Sequence, residues 1–282
     1  MLFRSLRATG LNEAGGAAAI ARTDFKLADF GNLSVSGNYL GIGYGAIDQR
    51  VQQRSREQVT ELNLTGNFEL GKFLPQTSGI RIPFTAQYAK NIRTPEYDPY
   101  DLDVKLKERL AAENDTKKRD SIKFNAQTVQ TIKGFGFNNV RKDRVGTGKP
   151  QPWDVENLSV SYGYTELDRR DPLVLSDSRK DYKGSLDYTF SREPLYITPF
   201  KNLIKNDTIL RYTKLFSEFN FNPIPNSFGF NTILDRQLNT TQYRFSGEDD
   251  ASNTFYQRRF SWDRNYNLQW DLSRALKFNF DA

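Results

Sequence analysis

The stretch Glu61-Leu62-Asn63-Leu64-Thr65-Gly66-Asn67-Phe68-Glu69-Leu70 decides how this chain folds. Its odd positions, Glu61, Asn63, Thr65, Asn67 and Glu69, are polar, and its even positions, Leu62, Leu64, Gly66, Phe68 and Leu70, are apolar or small. Successive side chains of a strand point to opposite faces, so a strand here has one wet face and one apolar face. The rhythm recurs. Ile80, Ile82, Phe84, Ala86 and Tyr88 alternate with Arg81, Pro83, Thr85 and Gln87, and Leu158, Val160, Tyr162 and Tyr164 with Ser159, Ser161 and Gly163. Tyr182, Gly184, Leu186, Tyr188 and Phe190 repeat it, as do Trp262, Tyr266, Leu268, Trp270 and Leu272, and finally Leu276, Phe278 and Phe280. Weaker patterns at 19–27, 32–42, 125–138 and 226–236 bring the total to about ten strands, antiparallel neighbours joined by turns.

Composition narrows what such strands build. Hydrophobic residues make up 37% of the 282 residues, yet the chain holds 14 Tyr and 21 Phe, and its mean hydropathy is −0.69. A soluble domain with so few aliphatics lacks the material for a thick core, and a disordered chain lacks the aromatics. A transmembrane β-barrel accounts for both, since only alternate residues face lipid and aromatic girdles mark the interfaces. No apolar run reaches the roughly 18 residues of a membrane-spanning helix, whereas barrel strands need only about 9–11. A soluble β-sandwich alternates in the same way. Aromatics near strand ends, a nearly all-polar opposite face and strands beyond the usual 5–6 residues favour the membrane.

The composition excludes much chemistry. The chain has no Cys and no His, which removes disulfides, thiolate and imidazole metal sites, thiol nucleophiles and Ser-His-Asp triads. The net charge is +6, but Lys and Arg are dispersed among 34 acids, so no nucleic-acid partner is implied. Gly41, Gly43 and Gly45 fit no phosphate-binding spacing and read as a turn. Glu248-Asp249-Asp250 lacks calcium-loop spacing and reads as a solvated loop. Glu61 and Glu69 lie about 26 Å apart along one strand, too far to share a glycosidic bond. No catalytic, cofactor-binding or metal site is expected, and an enzyme is the least expected class.

Connections should alternate in length, as in barrels with short periplasmic turns and longer outside loops. Asp29-Phe30-Gly31 and Ser273-Arg274-Ala275 read as tight, and 72–78 as short. Opposite them lie the longer stretches 43–56, 93–123, 167–181 and 246–256. The 93–123 loop, assigned outside the cell, should hold a short helix with Leu102, Leu106 and Leu110 on one face, although Leu102, Val104 and Leu106 also alternate. Residues 139–154 make a middling link. Residues 191–225 break the parity as a long periplasmic connection, with a possible short helix at Pro199–Ile204. Pro83 should mark a bulge. Arg264, on an apolar strand face, would cost about 2–4 kcal/mol at mid-bilayer and is expected near an interface beside Trp262. No signal peptide is visible after Met1, and we expect the natural protein to start elsewhere.

Several stretches resemble the outer-membrane translocon of the type IX secretion system, the SprA/Sov family. They are Ser55-Arg56-Glu57, Gly79-Ile80-Arg81-Ile82-Pro83, Thr94-Pro95-Glu96-Tyr97-Asp98-Pro99-Tyr100-Asp101, Gly136-Phe137-Asn138-Asn139-Val140-Arg141-Lys142, Asp154-Val155-Glu156-Asn157 and Phe219-Asn220-Phe221-Asn222. The resemblance implies a segment of a giant single-chain barrel in the outer membrane of a Gram-negative bacterium. Its lumen would pass folded cargo proteins with C-terminal sorting domains, accessory barrel and periplasmic plug proteins would bind it, and it would support gliding motility. The expectation is therefore all-β: residues 1–282 form about ten antiparallel strands of a larger barrel, with small helical insertions in loops. Glu61, Asn63, Thr65, Asn67 and Glu69 should line the lumen, and Leu62, Leu64, Phe68 and Leu70 should face outer-membrane lipid. The alternatives are another outer-membrane barrel for nutrient or lipid export, or a soluble β-rich glycan binder stacking sugars on Trp262, Trp270 and Tyr residues.

Overall fold

A computed structural model describes residues 15–50, 53–200, 218–244 and 253–282. The chain is all-β. In order, its strands are β1 (Ala18–Leu27), β2 (Gly31–Leu40), β3 (Glu57–Glu69), β4 (Ile80–Arg81), β5 (Pro83–Pro95), β6 (Tyr97–Asp98) and β7 (Asp101–Lys105). After two helices, α1 (Leu106–Ala112) and α2 (Thr116–Ala126), come β8 (Thr128–Lys142), β9 (Leu158–Arg170), β10 (Val174–Ser191), β11 (Ser227–Tyr243), β12 (Thr254–Trp270) and β13 (Phe278–Asp281). One antiparallel sheet runs β1-β2-β3-β5-β8-β9-β10-β11-β12-β13, with β4 paired to β8 and β6-β7 forming a separate ribbon. Leaving aside the short β4, β6 and β7, each strand of the sheet pairs with the next in the chain, as hairpin connections dictate. The sheet is open, with β1 and β13 at its edges.

No second sheet covers either face among the described residues. Only Leu106, Ala126, Val129 and Phe190 are buried hydrophobics there. A sandwich would bury the inner face of every strand; this is a single layer whose two faces meet their surroundings directly.

The upper rim is defined as the end that carries α1 and α2; the other end is the lower rim. At the upper rim the predicted helix is displaced. Leu102 lies in β7, while Leu106 and Leu110 lie in α1, and α2 follows with Asp115 capping it through the Lys117 N–H at 2.9 Å. The expected 167–181 link is a hairpin instead, with β9 and β10 joined by Asp171-Pro172-Leu173. Charges on both faces of the strand ends hid the alternation there: Lys180 pairs with Glu166 at 3.3 Å and the Ser178 hydroxyl donates to Asp168 at 2.7 Å. The parity thus fails at one more place than expected: a three-residue turn sits on the upper rim, while β10 ends and β11 begins at the lower rim, as the sequence had it for the long connection between them.

Two further expectations shift near Pro83. The strand called Glu61–Leu70 spans Glu57–Glu69, and Leu70 opens a 3-10 turn, Leu70–Phe73, so it is not on the strand face. Pro83 is the first residue of β5 rather than a bulge, a position where its missing N–H costs no ladder bond. The break falls at Ile82, whose N–H donates to the Glu69 carboxylate at 2.7 Å. Gly79 turns the chain with φ 65° so that β4 can lie beside β8; an added Cβ would meet the Asp143 carbonyl oxygen at 2.5 Å. The bulge lies in β8 instead, between Phe137 and Val140, with Asn139 at φ 57°. Gly41–Gly45 is a turn closed by Tyr44 N–H to the Gly41 carbonyl at 3.3 Å and tied to Ser55 by Gly43 N–H to its carbonyl at 2.7 Å. Glu248-Asp249-Asp250 and most of Pro199–Ile204 lie outside the described residues.

Candidate functional site: a two-faced wall

Residues paired across antiparallel strands share a face, so the register sorts the whole sheet. One rung joins Asn38, Glu61, Asn91, Gln130, Arg169, Asp177 and Thr241. It belongs to a polar face stitched by side chains. Glu61 accepts from Asn91 Nδ2 at 2.6 Å and from Asn38 Nδ2 at 3.4 Å, spanning three strands. Asn231 donates to Asp187, Asn265 donates to Asn231 at 3.2 Å, and Thr241 donates to Asp177 at 2.8 Å. Glu61, Asn63, Thr65 and Asn67 stand together on this face, and Glu69 ends it with its carboxylate on the Ile82 N–H. Where Gly134, Gly136 and Gly163 replace side chains, the face dips into a shallow recess beside Thr65, Asn67, Thr85 and Gln87.

The other face carries Leu62, Leu64 and Phe68, and an aromatic chain continues from them. Phe68 meets Phe84 at 6.4 Å between ring centroids, Phe84 meets Phe137 at 5.1 Å, Phe135 meets Tyr164 at 5.7 Å and Tyr164 meets Tyr182 at 5.0 Å. Beyond them Tyr188 meets Phe228 at 5.7 Å and Phe230 meets Tyr266 at 5.1 Å. Such pairs each add about 0.5–1.5 kcal/mol beyond area burial. Phe68 folds over Gly66, where an added Cβ would meet its ring at 2.5 Å. Arg264 lies on this face with its guanidinium 4.5 Å from the Trp262 ring centroid, and the Trp262 ring N–H donates to Thr232 Oγ1 at 2.7 Å. Trp270 spends its ring N–H on the Asn222 carbonyl at 2.9 Å.

The apolar belt crosses the sheet at a slant. The rung Gly66, Ala86, Phe135, Tyr164, Tyr182, Arg236, Phe260 runs straight across β3 to β12. On β3 the apolar run Leu62–Phe68 straddles this rung; on β10 the run Tyr182–Phe190 starts at it and extends toward the lower rim. The belt thus slides by about five residues over the four strand steps from β3 to β10. At about 3.3 Å per residue and about 4.8 Å between strands, the slope is about 40°.

Each rim has its own lock. At the upper rim the Arg170 guanidinium sits 3.5 Å from the Phe124 ring centroid and donates to the Phe124 carbonyl at 2.6 Å. Arg244 approaches the same ring at 5.6 Å and donates to the Asp171 carbonyl at 3.1 Å, so α2 is clasped to the β9-β10 turn. At the lower rim Asn222, fully buried, donates to Asn226 Oδ1 at 2.8 Å, and its N–H reaches the Leu272 carbonyl at 2.9 Å. Elsewhere on the lower rim, at the β8-β9 link, runs a set of ion pairs: Arg81 and Arg141 with Asp143, Lys142 with Glu156 at 2.8 Å, and Arg144 with Asp154 at 2.6 Å. Hydrogen bonding from Arg141, reinforced by Arg81, holds the Asp143 carboxyl below its ordinary range. The Gln151 N–H and then Arg144 do the same for Asp154, and Lys142 does so for Glu156. Sequence reading missed both locks. The upper partners lie far apart in the chain, Phe124 from Arg170 and Arg244, whereas Arg81, Arg141, Lys142, Asp154, Glu156 and Asn222 of the lower rim lie within the stretches that carried the family resemblance, where nothing in the sequence paired them.

Residues 1–110 match the family described as motility related/secretion protein, SprA_N. This chain carries a SprA/Sov-family segment. None of the curated proteins matches it. The SprA match spans β1 to β7, and so includes all of Glu61–Leu70 with both sets of face residues.

Proposed function

We propose that this chain is a section of the wall of an outer-membrane β-barrel that serves as a protein-conducting secretion channel. The coarse function, motility or secretion, rests on the SprA_N match. The observation that carries the finer reading is the slant of the apolar belt. A membrane plane must cut the strands of a barrel at their tilt, about 35–45°, and the belt's slope of about 40° falls within that range. The wet face then lines the lumen, where Asn, Ser, Thr and paired charges offer a passing polypeptide no apolar surface to stick to. Leu62, Leu64 and Phe68 face lipid. Transport needs no catalysis, and none is proposed. The open edges at β1 and β13 leave backbone groups that lipid cannot satisfy, so further strands must complete the wall. Cargo with a C-terminal sorting domain, accessory barrel proteins, a periplasmic plug and a link to gliding belong to this reading through the family. The glycan-binding alternative loses support because Arg264 already occupies Trp262 and Asn222 engages Trp270.

The test uses the absence of native Cys in this segment. Single Cys substitutions at Leu64, Phe68, Asn63 and Asn67 go into the full-length protein in its native outer membrane. A water-soluble maleimide should label Asn63→Cys and Asn67→Cys, while a lipid-confined probe should label Leu64→Cys and Phe68→Cys. The reverse pattern, or recovery of the protein outside the outer-membrane fraction, overturns the proposal.

A further inference from the structure

The apolar belt ends differently at its two edges. Toward the upper rim, its face carries Lys90, Lys133, Lys180 and Arg236, placed there by their pairings with Leu62, Tyr88, Glu166 and Tyr182. Along the straight rungs Lys133 and Lys180 share one level, with Lys90 one same-face position above it and Arg236 one below. Allowing for the slant of the belt, they fall roughly 9–15 Å above its mid-line, where the hydrocarbon of a barrel's roughly 25 Å apolar band gives way to headgroups. Lys180 pairs with Glu166 at 3.3 Å and Lys133 reaches Asp168 at only 3.7 Å. Among the described residues Lys90 and Arg236 make no ion pair. Cations therefore outnumber acids at this level, and Arg170 and Arg258 stand higher on the same face. Toward the lower rim the corresponding positions are Phe68, Phe228, Trp270 and Phe278, and the nearby Lys142 is neutralised by Glu156 at 2.8 Å.

We infer that Lys90, Lys133, Lys180 and Arg236 form a binding band for phosphate-bearing lipid headgroups, which makes the upper rim the side facing a phosphate-rich leaflet. The inference rests on the wall reading above. Lys and Arg stems lie along apolar surface while their charged ends reach the headgroup layer. A phosphate accepts several charge-assisted hydrogen bonds, and Arg can engage it in bidentate fashion. The aromatics just below, Tyr88, Phe135, Tyr164 and Tyr182, provide the apolar floor on which acyl chains rest.

The experiment uses the full-length protein in phosphatidylcholine nanodiscs containing diphosphoryl lipid A. Mass spectrometry quantifies the lipid A that survives a detergent wash. Substituting Lys90→Gln, Lys133→Gln, Lys180→Gln and Arg236→Gln together should lower retained lipid A about tenfold. The polar-face pair Lys183→Gln and Arg259→Gln should leave retention unchanged. Dephosphorylated lipid A should not be retained, and excess inorganic phosphate should not displace the bound lipid. If the fourfold variant fails to assemble, Lys90→Gln with Arg236→Gln replaces it, with Lys90→Arg as the charge-keeping comparison. Unchanged retention, equal loss in the polar-face control, release by free phosphate, or loss of a co-purifying protein instead of lipid each overturns the band. Leu64→Cys labelled in the same discs separates the two ideas. Lipid labelling with unchanged retention removes only the band, whereas aqueous labelling removes the wall reading beneath it.

Discussion

At the upper edge of the apolar belt the outward side chains are Lys90, Lys133, Lys180 and Arg236; at the lower edge they are Phe68, Phe228, Trp270 and Phe278. The rims beyond them differ in the same sense. The upper lock holds α2 through two arginines, an aromatic ring and backbone carbonyls. The lower rim holds the buried Asn222 on Asn226 and, apart from it, a set of carboxylate ion pairs. Loop length, which distinguishes the two ends of many barrels, distinguishes nothing here, because long connections lie at both. Side-chain chemistry at the belt's edges carries the asymmetry instead. If the sheet is the membrane wall proposed above, its unlike rims favour one sense of insertion, the one that sets the Lys90 and Arg236 cations against phosphate headgroups.

The largest effect should come from breaking the belt between the rims. Leu186 on β10 lies near the belt's mid-line, so Leu186→Arg should cost about 2–4 kcal/mol of assembly free energy in a bilayer. Asn231→Arg on the opposite face should change it by less than about 0.5 kcal/mol. Urea titration of the reconstituted full-length protein measures both, and equal costs would mean that the two faces share one environment.

Next in size are the locks. Asn222→Ala removes the partner of Asn226 and should cost about 1–3 kcal/mol, opening the lower 218–226 segment to protease. Phe124→Ala removes the ring under Arg170 and Arg244 and should cost about 1–2 kcal/mol, opening the 96–127 loop alone. Cleavage at both rims in either variant would show that the rims are coupled rather than independent.

The smallest effect is acid sensitivity, expected at the lower ion pairs around Asp143, Asp154 and Glu156 and not at the α2 clasp. Asp143, Asp154 and Glu156 titrate below their ordinary values in the fold, so their ion pairs contribute fully above those ordinary values and fade as pH falls through the lowered ones. Pepsin cleavage within 143–157 should therefore rise steeply between about pH 4 and pH 2. The α2 clasp, whose contacts run to a ring, to carbonyls and to the Asn125 amide oxygen, should not respond. Equal acid loosening of residues 116–126 and 143–157 would remove this distinction.

The strands were legible wherever one face was uniformly wet, as in Glu61–Glu69 and Tyr182–Phe190, because alternation is a property of neighbouring residues and needs no partner. The same local logic failed at Arg169–Lys180. There the strands carry charge on both faces, and pairing with β8 and β11, rather than patterning, keeps them extended. The face residues Glu61, Asn63, Thr65 and Asn67 could be grouped from the chain alone, but Leu70 could not be excluded until the 3-10 turn appeared. Absence of Cys and His removed most catalytic chemistry at once, since composition does not depend on conformation. The slant of the belt, the cation band it aligns and the α2 clasp are non-local. The slant and the band follow from register accumulated over successive strand pairs, β3 to β5 to β8 to β9 to β10, and a one-residue slip in any pair would turn a strand's faces over.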